Sequence, residues 1–255
     1  MDILKVILVF SLICILSFAV FFVIPSGFFK NFSFKWHYYA YSFSGTPEKM
    51  DALNKESIDT SRTTGKPITI VIHGAETTYY KDVYGTVVWF KENGVNVVSF
   101  DYDFKAAPDV SARKLSDFVD ETLKETGTRK VNIMGTCLGG ILAKYYAENF
   151  GGAEHIDKLI TVISPARPIP ETAIAYQYDT LFSFDPASWN QVLAGLQDKN
   201  PVKDHMYFYC KNDITVPAKY QFSSVGNFIG LECEHSFNNV NPEVLEPALD
   251  FINTH

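Results

Sequence analysis

The sequence predicts an α/β domain with a mostly parallel sheet and helices on both of its faces, preceded by an apolar N-terminal span. Three observations carry this reading. Short β-branched runs without polar alternation suit strands buried on both faces, as in Pro67-Ile68-Thr69-Ile70-Val71-Ile72. Segments of helical period separate these runs, the alternation from which parallel sheets are built. An uncharged, apolar run of 19 residues from Val6 to Ile24, with Lys5 before it and Lys30 and Lys35 after it, is long enough to cross a bilayer.

Taken in order, residues 1–25 form the span, which reads as a single-pass anchor, with a cleaved signal segment and secretion as the alternative. Residues 26–66 follow as a juxtamembrane and N-terminal region, rich in Phe, Trp and Tyr up to Tyr41, with a short helix from Pro47 through Ser57. The domain proper covers 67–255. A strand over 67–72 leads to a helix over Tyr80 to Asn93, stopped by Gly94, and then to a strand over Val95 to Phe100. Leu115, Phe118, Val119 and Leu123 form one stripe of a helix from Asp109 to Thr126, closed by Gly127. Strand 131–134, helix 138–150 and strand 158–163 continue the ladder, followed by strands over His205 to Cys210 and Phe228 to Cys233 and a last helix from about Pro242.

Between 165 and 204 the periodicity breaks into a proline-punctuated, aromatic-rich segment. An insertion of this length in a compact domain usually carries a function. It reads as a short cap in which Tyr176, Phe182 and Trp189 line an acyl pocket, with a packed connecting helix pair as the alternative. The formal charge of −7 without any basic cluster speaks against a nucleic-acid partner. Four cysteines do not make a disulfide scaffold. Cys210 and Cys233 read as two buried free thiols, a bridge between them being the alternative.

The motif that carries chemistry is Gly135-Thr136-Cys137-Leu138-Gly139-Gly140, set between the apolar run 131–134 and the helix-periodic Ile141 to Tyr146. Glycines on both flanks permit a sharp strand-to-helix turn that lifts the central side chain above the sheet. There it meets the first amides of the helix and the positive end of its dipole, which favour an anion such as a thiolate. A Gly-rich turn around a small packed Cys is the plain alternative. A cysteine nucleophile needs a base in hydrogen-bond reach and a third group to orient that base. Asp213 follows the strand ending at Cys210, and His235 follows the strand ending at Cys233, so the chain order is nucleophile, acid, base. His73-Gly74 closes the first strand of the domain, and the amides of Ala75 and Leu138 are the expected oxyanion donors. No set of His and Cys at ligand spacing and no dinucleotide fingerprint occurs, so neither metal nor cofactor is expected.

These residues resemble the α/β-hydrolase superfamily over most of 67–253. Within it, Ser116 to Ala166 is similar to the class 2 lipases, small bacterial triacylglycerol lipases, through Phe118 to Gly127 and the elbow-helix residues Ala143-Lys144-Tyr145-Tyr146. That resemblance implies an α/β-hydrolase fold and lipase or esterase chemistry. The family's elbow carries Ser, and Cys137 departs from it. The Gly-x-Cys-x-Gly-Gly form is similar to polyhydroxyalkanoate synthases, larger enzymes, which would imply an acyltransferase with a Cys, Asp and His triad.

The expectation is thus a membrane-anchored hydrolase that cleaves an ester or thioester of a lipid or other apolar acyl substrate through Cys137, His235 and Asp213. Acyl transfer to another acceptor is one alternative, and an inactive hydrolase-fold binding protein is the other. Nothing in the motifs specifies an oligomeric state.

Overall fold

A computed structural model describes His37, Ala40, Tyr41 and residues 44–75, 78–81, 83–170, 186–196, 199–221, 226–233 and 240–254. Among these residues six strands form one sheet in the order β2-β1-β3-β4-β5-β6: β1 Thr69–Ile72, β2 Val97–Phe100, β3 Val131–Thr136, β4 Ile156–Val162, β5 Asp204–Cys210 and β6 Asn227–Leu231. Every pairing among them is parallel. Among these residues the bounded helices are α1 Pro47–Thr64, α2 Tyr84–Glu92, α3 Pro108–Thr126, α4 Leu138–Asn149, α5 Gly152–His155, α6 Pro186–Leu196, α7 Ala218–Gln221 and α8 Pro242–Asn253.

Alternate strand residues enter two separate cores, as the period of two requires. Ile70, Ile72 and Ile133 join one cluster with Leu115 and Val119 of α3, Leu142 and Tyr146 of α4, and Val192 of α6. Val71, Met134 and Ile160 join the other with Val87 and Phe90 of α2 and Val244 and Leu245 of α8. Burial on both faces explains why the strands read as unbroken apolar runs.

Local chemistry sets the boundaries. Pro67 has no N–H for a ladder, and β1 begins two residues later, at Thr69. The helix expected from Tyr80 starts only at Tyr84, after a turn. Pro108 opens α3, and Gly127, at φ 71°, closes it.

The short helix expected to end at Ser57 runs on to Thr64, where Gly65 caps it at φ 69°. This helix, α1, packs against β2 and α3. It lies on the edge strand of the sheet, and Asn54 pairs with that strand as a neighbour would. The Ser99 amide donates to Asn54 Oδ1 at 3.0 Å, and Asn54 Nδ2 donates to the Ser99 carbonyl at 3.4 Å. The edge N–H and C=O of Ser99, which could otherwise pair with another strand, are thereby engaged.

No helix among the described residues is long and apolar enough to cross a membrane. The expected span at 6–24 lies outside the described residues, as do Tyr176 and Phe182.

Candidate active site

Parallel pairing places the carboxyl ends of all six strands along one edge of the sheet. After β1 the chain moves outward to β2, then returns to β3 on the other side of β1, so the order reverses between β1 and β3. Open α/β sheets bind ligands in the crevice at such a reversal. Cys137 follows β3, and His73-Gly74-Ala75 follows β1, which puts both segments at this crevice.

Cys137 has φ 51° and ψ −117°, a conformation L-residues rarely adopt, and it is half-buried. The turn survives because its surroundings over-determine it. The Cys137 amide donates to the Val162 carbonyl at 2.9 Å, and its carbonyl accepts from Gly140 at 3.1 Å. A Cβ on Gly135 would stand 2.5 Å from the Gly139 carbonyl oxygen, so a side chain there would hold α4 away from β3. Among the described residues Ile163, at φ 47°, is the other non-glycine with positive φ. It directly follows β4 beside the elbow, so both strained residues fall at this edge, a pattern characteristic of functional sites.

The loop after β1 is pressed against the elbow, since a Cβ on Gly74 would lie 3.2 Å from Cys137 Cβ. His73 is fully buried and stacked on Tyr102, ring centroids 4.5 Å apart. Its Nδ1 lies 2.7 Å from the Gly74 carbonyl oxygen, while Nε2 faces the Tyr102 amide at 3.5 Å and Asp101 Oδ1 at 3.4 Å. The Tyr102 hydroxyl donates to the His73 carbonyl at 3.1 Å. His73 thus ties the loop bearing Ala75 to the end of β2. Leu138 is the first residue of α4, where an amide has no acceptor within its own helix.

Asp213 is buried in the loop after β5 and its carboxylate is held at both oxygens. Oδ1 accepts the amides of Thr215 at 2.8 Å and Val216 at 2.9 Å, and Oδ2 accepts Gln221 Nε2 at 3.0 Å. Sequence spacing does not single out Gln221, because an amide at the end of a four-residue helix leaves no periodic signal.

His235 lies outside the described residues. The chain reaches it from the same edge, since β6 ends at Leu231 and the Lys211 amide donates to the Leu231 carbonyl at 3.0 Å. The other histidines on the sheet stand elsewhere. His205 is the second residue of β5, at the opposite edge, with Nε2 3.2 Å from Thr161 Oγ1 and Nδ1 3.0 Å from Asn200 Oδ1. Burial, and then the Lys144 ammonium, push its pKa well below the usual histidine value, which suits a neutral core imidazole. His155 precedes β4 at that same far edge.

The reading of Cys210 and Cys233 as free thiols is corrected: they form a disulfide, with Cα atoms 5.2 Å apart. Parallel pairing explains it, because Cys210 sits opposite Leu231 and the next residues of both strands leave the sheet side by side. Among the described residues Cys137 is the free cysteine. The bridge joins the segment three residues before Asp213 to the segment two residues before His235. Closing a loop of 23 residues in sequence is worth about 3 kcal/mol through the unfolded chain. The pair Cys210→Ser with Cys233→Ser is therefore expected to lower the unfolding free energy by about that amount in a denaturant titration. A midpoint unchanged from wild type would refute the stabilising role.

Trp189, expected in the acyl pocket, is 3% exposed on α6 and packs within the core cluster of α3 and α4. That placement fits the packed-helix alternative for this residue.

Several solved structures share this architecture. The mature form of a lipase from Bacillus licheniformis superposes with a TM-score of 0.59 at 15% identity, covering 73% of this chain and 91% of that one. A metagenome-derived lipolytic enzyme gives 0.55 at 14% identity, covering 74% and 95%. Est1E from Butyrivibrio proteoclasticus gives 0.52 at 18% identity, covering 74% and 89%. At such identities the likeness shows the fold. No curated protein matches the chain in sequence. A family model described as the alpha/beta hydrolase fold matches residues 21–201, more than half of the 255-residue chain, and the chain belongs to that family.

Proposed function

We propose that this protein is an ester-hydrolysing enzyme of the lipase or esterase type in which Cys137 is the nucleophile. The observation that carries the reading is the backbone of Cys137: a positive-φ residue between β3 and α4 at the reversal of strand order, with the Gly74 backbone pressed against it. Packing alone gives no reason to hold a cysteine there at the cost of strain. That the solved neighbours include a lipase and a lipolytic enzyme supports the same chemistry.

In the proposed cycle the Cys137 thiol gives its proton to His235 as sulfur attacks the acyl carbonyl. Asp213 holds the imidazole in the required tautomer and stabilises the imidazolium. The amides of Ala75 and Leu138 receive the developing oxyanion. Collapse expels the alkoxide, which takes the proton from His235 and leaves a thioester on Cys137. Water, deprotonated by the same histidine, then releases the acid and restores the thiol. The run Val6 to Ile24 would tether this domain to a membrane, where apolar acyl substrates reside. The Cys210–Cys233 bridge supports a domain facing an oxidising compartment.

The test is intact mass after exposure to p-nitrophenyl esters of several chain lengths, with nitrophenol release followed in parallel. Wild type is expected to gain one acyl mass that Cys137→Ala does not gain. Turnover without competing acceptors marks a hydrolase, whereas product formation only with added alcohol or thiol marks acyl transfer. A folded wild type that never acylates with any ester defeats the proposal.

A further inference from the structure

We infer that Gln221 is a positioning residue for Asp213, an inference that rests on the reading of Asp213 as the acid of the triad. Gln221 ends the short helix α7 and is 1% exposed. Its amide is committed at both ends. Oε1 accepts the Cys210 amide at 3.1 Å, while Nε2 donates to Asp213 Oδ2 at 3.0 Å and to the Val216 carbonyl. The oxygen meets an N–H, and the nitrogen meets a carboxylate and a carbonyl, so these partners allow one orientation of the amide and penalise its flip.

The geometry divides the labour around the carboxylate. The amides of Thr215 and Val216 fix Oδ1 through the turn of the loop itself. Those two bonds hold one oxygen. Gln221 fixes the second oxygen and with it the plane of the group, which sets the direction of any bond Asp213 makes to a base. A buried donor bonded to a charged acceptor is also among the stronger hydrogen bonds.

Gln221 refers this plane to a rigid frame. Its other end is anchored on Cys210, the last residue of β5, and Cys210 is bridged to Cys233, two residues before His235. Asp213 and the segment that leads in sequence to His235 are thus tied to one clamp made of a side-chain amide, a strand end and a disulfide. In this reading the clamp supplies no reacting group. It acts by removing freedom from the groups that react.

The experiment uses the full chain and a p-nitrophenyl ester, comparing wild type with Gln221→Met and Gln221→Glu. Methionine keeps the volume and loses both polar ends. Glutamate keeps the acceptor for Cys210 and replaces the donor with an oxygen facing the Asp213 carboxylate. Both variants are expected to lower kcat and the rate of Cys137 acylation about 10- to 100-fold with KM within about twofold, as befits loss of one hydrogen bond to a charged group. In an Asp213→Ala background, Gln221→Met is expected to change kcat by less than about twofold, because the group it positions is gone. A purely structural role predicts equal losses in both backgrounds, and that result overturns the inference. So does wild-type acylation by Gln221→Glu, which carries the test alone if Gln221→Met does not fold. A wild type that never acylates overturns the reading of the triad, and this inference with it. Acylation of wild type at full rate together with unaffected variants overturns this inference alone.

Discussion

Asp213→Asn is expected to lower kcat on a p-nitrophenyl ester by about four orders of magnitude, with KM changed no more than a few-fold. The size follows from what surrounds the carboxylate. Its partners at Thr215, Val216 and Gln221 are all N–H donors. An asparagine must place its NH2 somewhere among them. Turned toward the two backbone amides, it sets donor against donor twice. Turned the other way, its NH2 faces Gln221 Nε2, and Gln221 cannot flip to receive it without losing the Cys210 amide. The second orientation sacrifices fewer bonds and, because Oδ1 already accepts two amides, it puts NH2 at the oxygen that the proposed triad leaves to accept from His235. The histidine would then adopt the wrong tautomer and could not take the proton of Cys137. The buried mismatch should also cost about 1–3 kcal/mol of stability. Stopped-flow nitrophenol release and a denaturant titration check both parts. A variant within tenfold of wild type in kcat would remove Asp213 from the triad.

The elbow was legible because three local signals coincide on it: an apolar run before, helical period after, and glycines on both flanks of Cys137. Each reflects a constraint acting within a few residues, and such constraints leave their mark in composition. The strands were legible for the same reason, as Ile70, Val71 and Ile72 are apolar in succession because both sheet faces are covered. What escaped depends on neighbours distant in sequence. The full length of α1 follows from its place on β2, where Asn54 reaches Ser99 across 45 residues, and its polar composition offers no apolar stripe to extend the reading. The pairing of Cys210 with Cys233 requires that β5 and β6 be adjacent and parallel, an arrangement cysteine spacing does not encode. Gln221 is an amide among many, distinguished only by the three groups folded around its side chain. His235 is proposed as the base on chain order alone, as it lies outside the described residues.

Gly139→Ala is expected to destabilise the fold by about 3–5 kcal/mol, at the upper end for a single substitution, because the added methyl meets backbone where nothing can yield cheaply. Its Cβ would stand 2.5 Å from the His73 carbonyl oxygen, 2.7 Å from the Ile72 carbonyl oxygen and 2.9 Å from Ile72 Cγ2. Relief requires α4 to move off the end of β1. That movement separates the elbow from the loop it packs on, since Gly74 lies against Cys137 and the His73 carbonyl is already held by the Tyr102 hydroxyl. Stability and acylation should therefore fall together. For a domain of this size the loss corresponds to a fall in Tm of about 10 °C. Gly195→Ala provides the contrast, because Gly195 lies in α6 with nothing within 4 Å of the position its Cβ would take. There the methyl meets open space and restricts the unfolded chain, so a gain of up to about 1 kcal/mol is expected. Thermal unfolding of the two variants beside wild type decides the matter. If Gly139→Ala melts with wild type, the close approach of α4 to β1 is not what holds the elbow in its strained conformation.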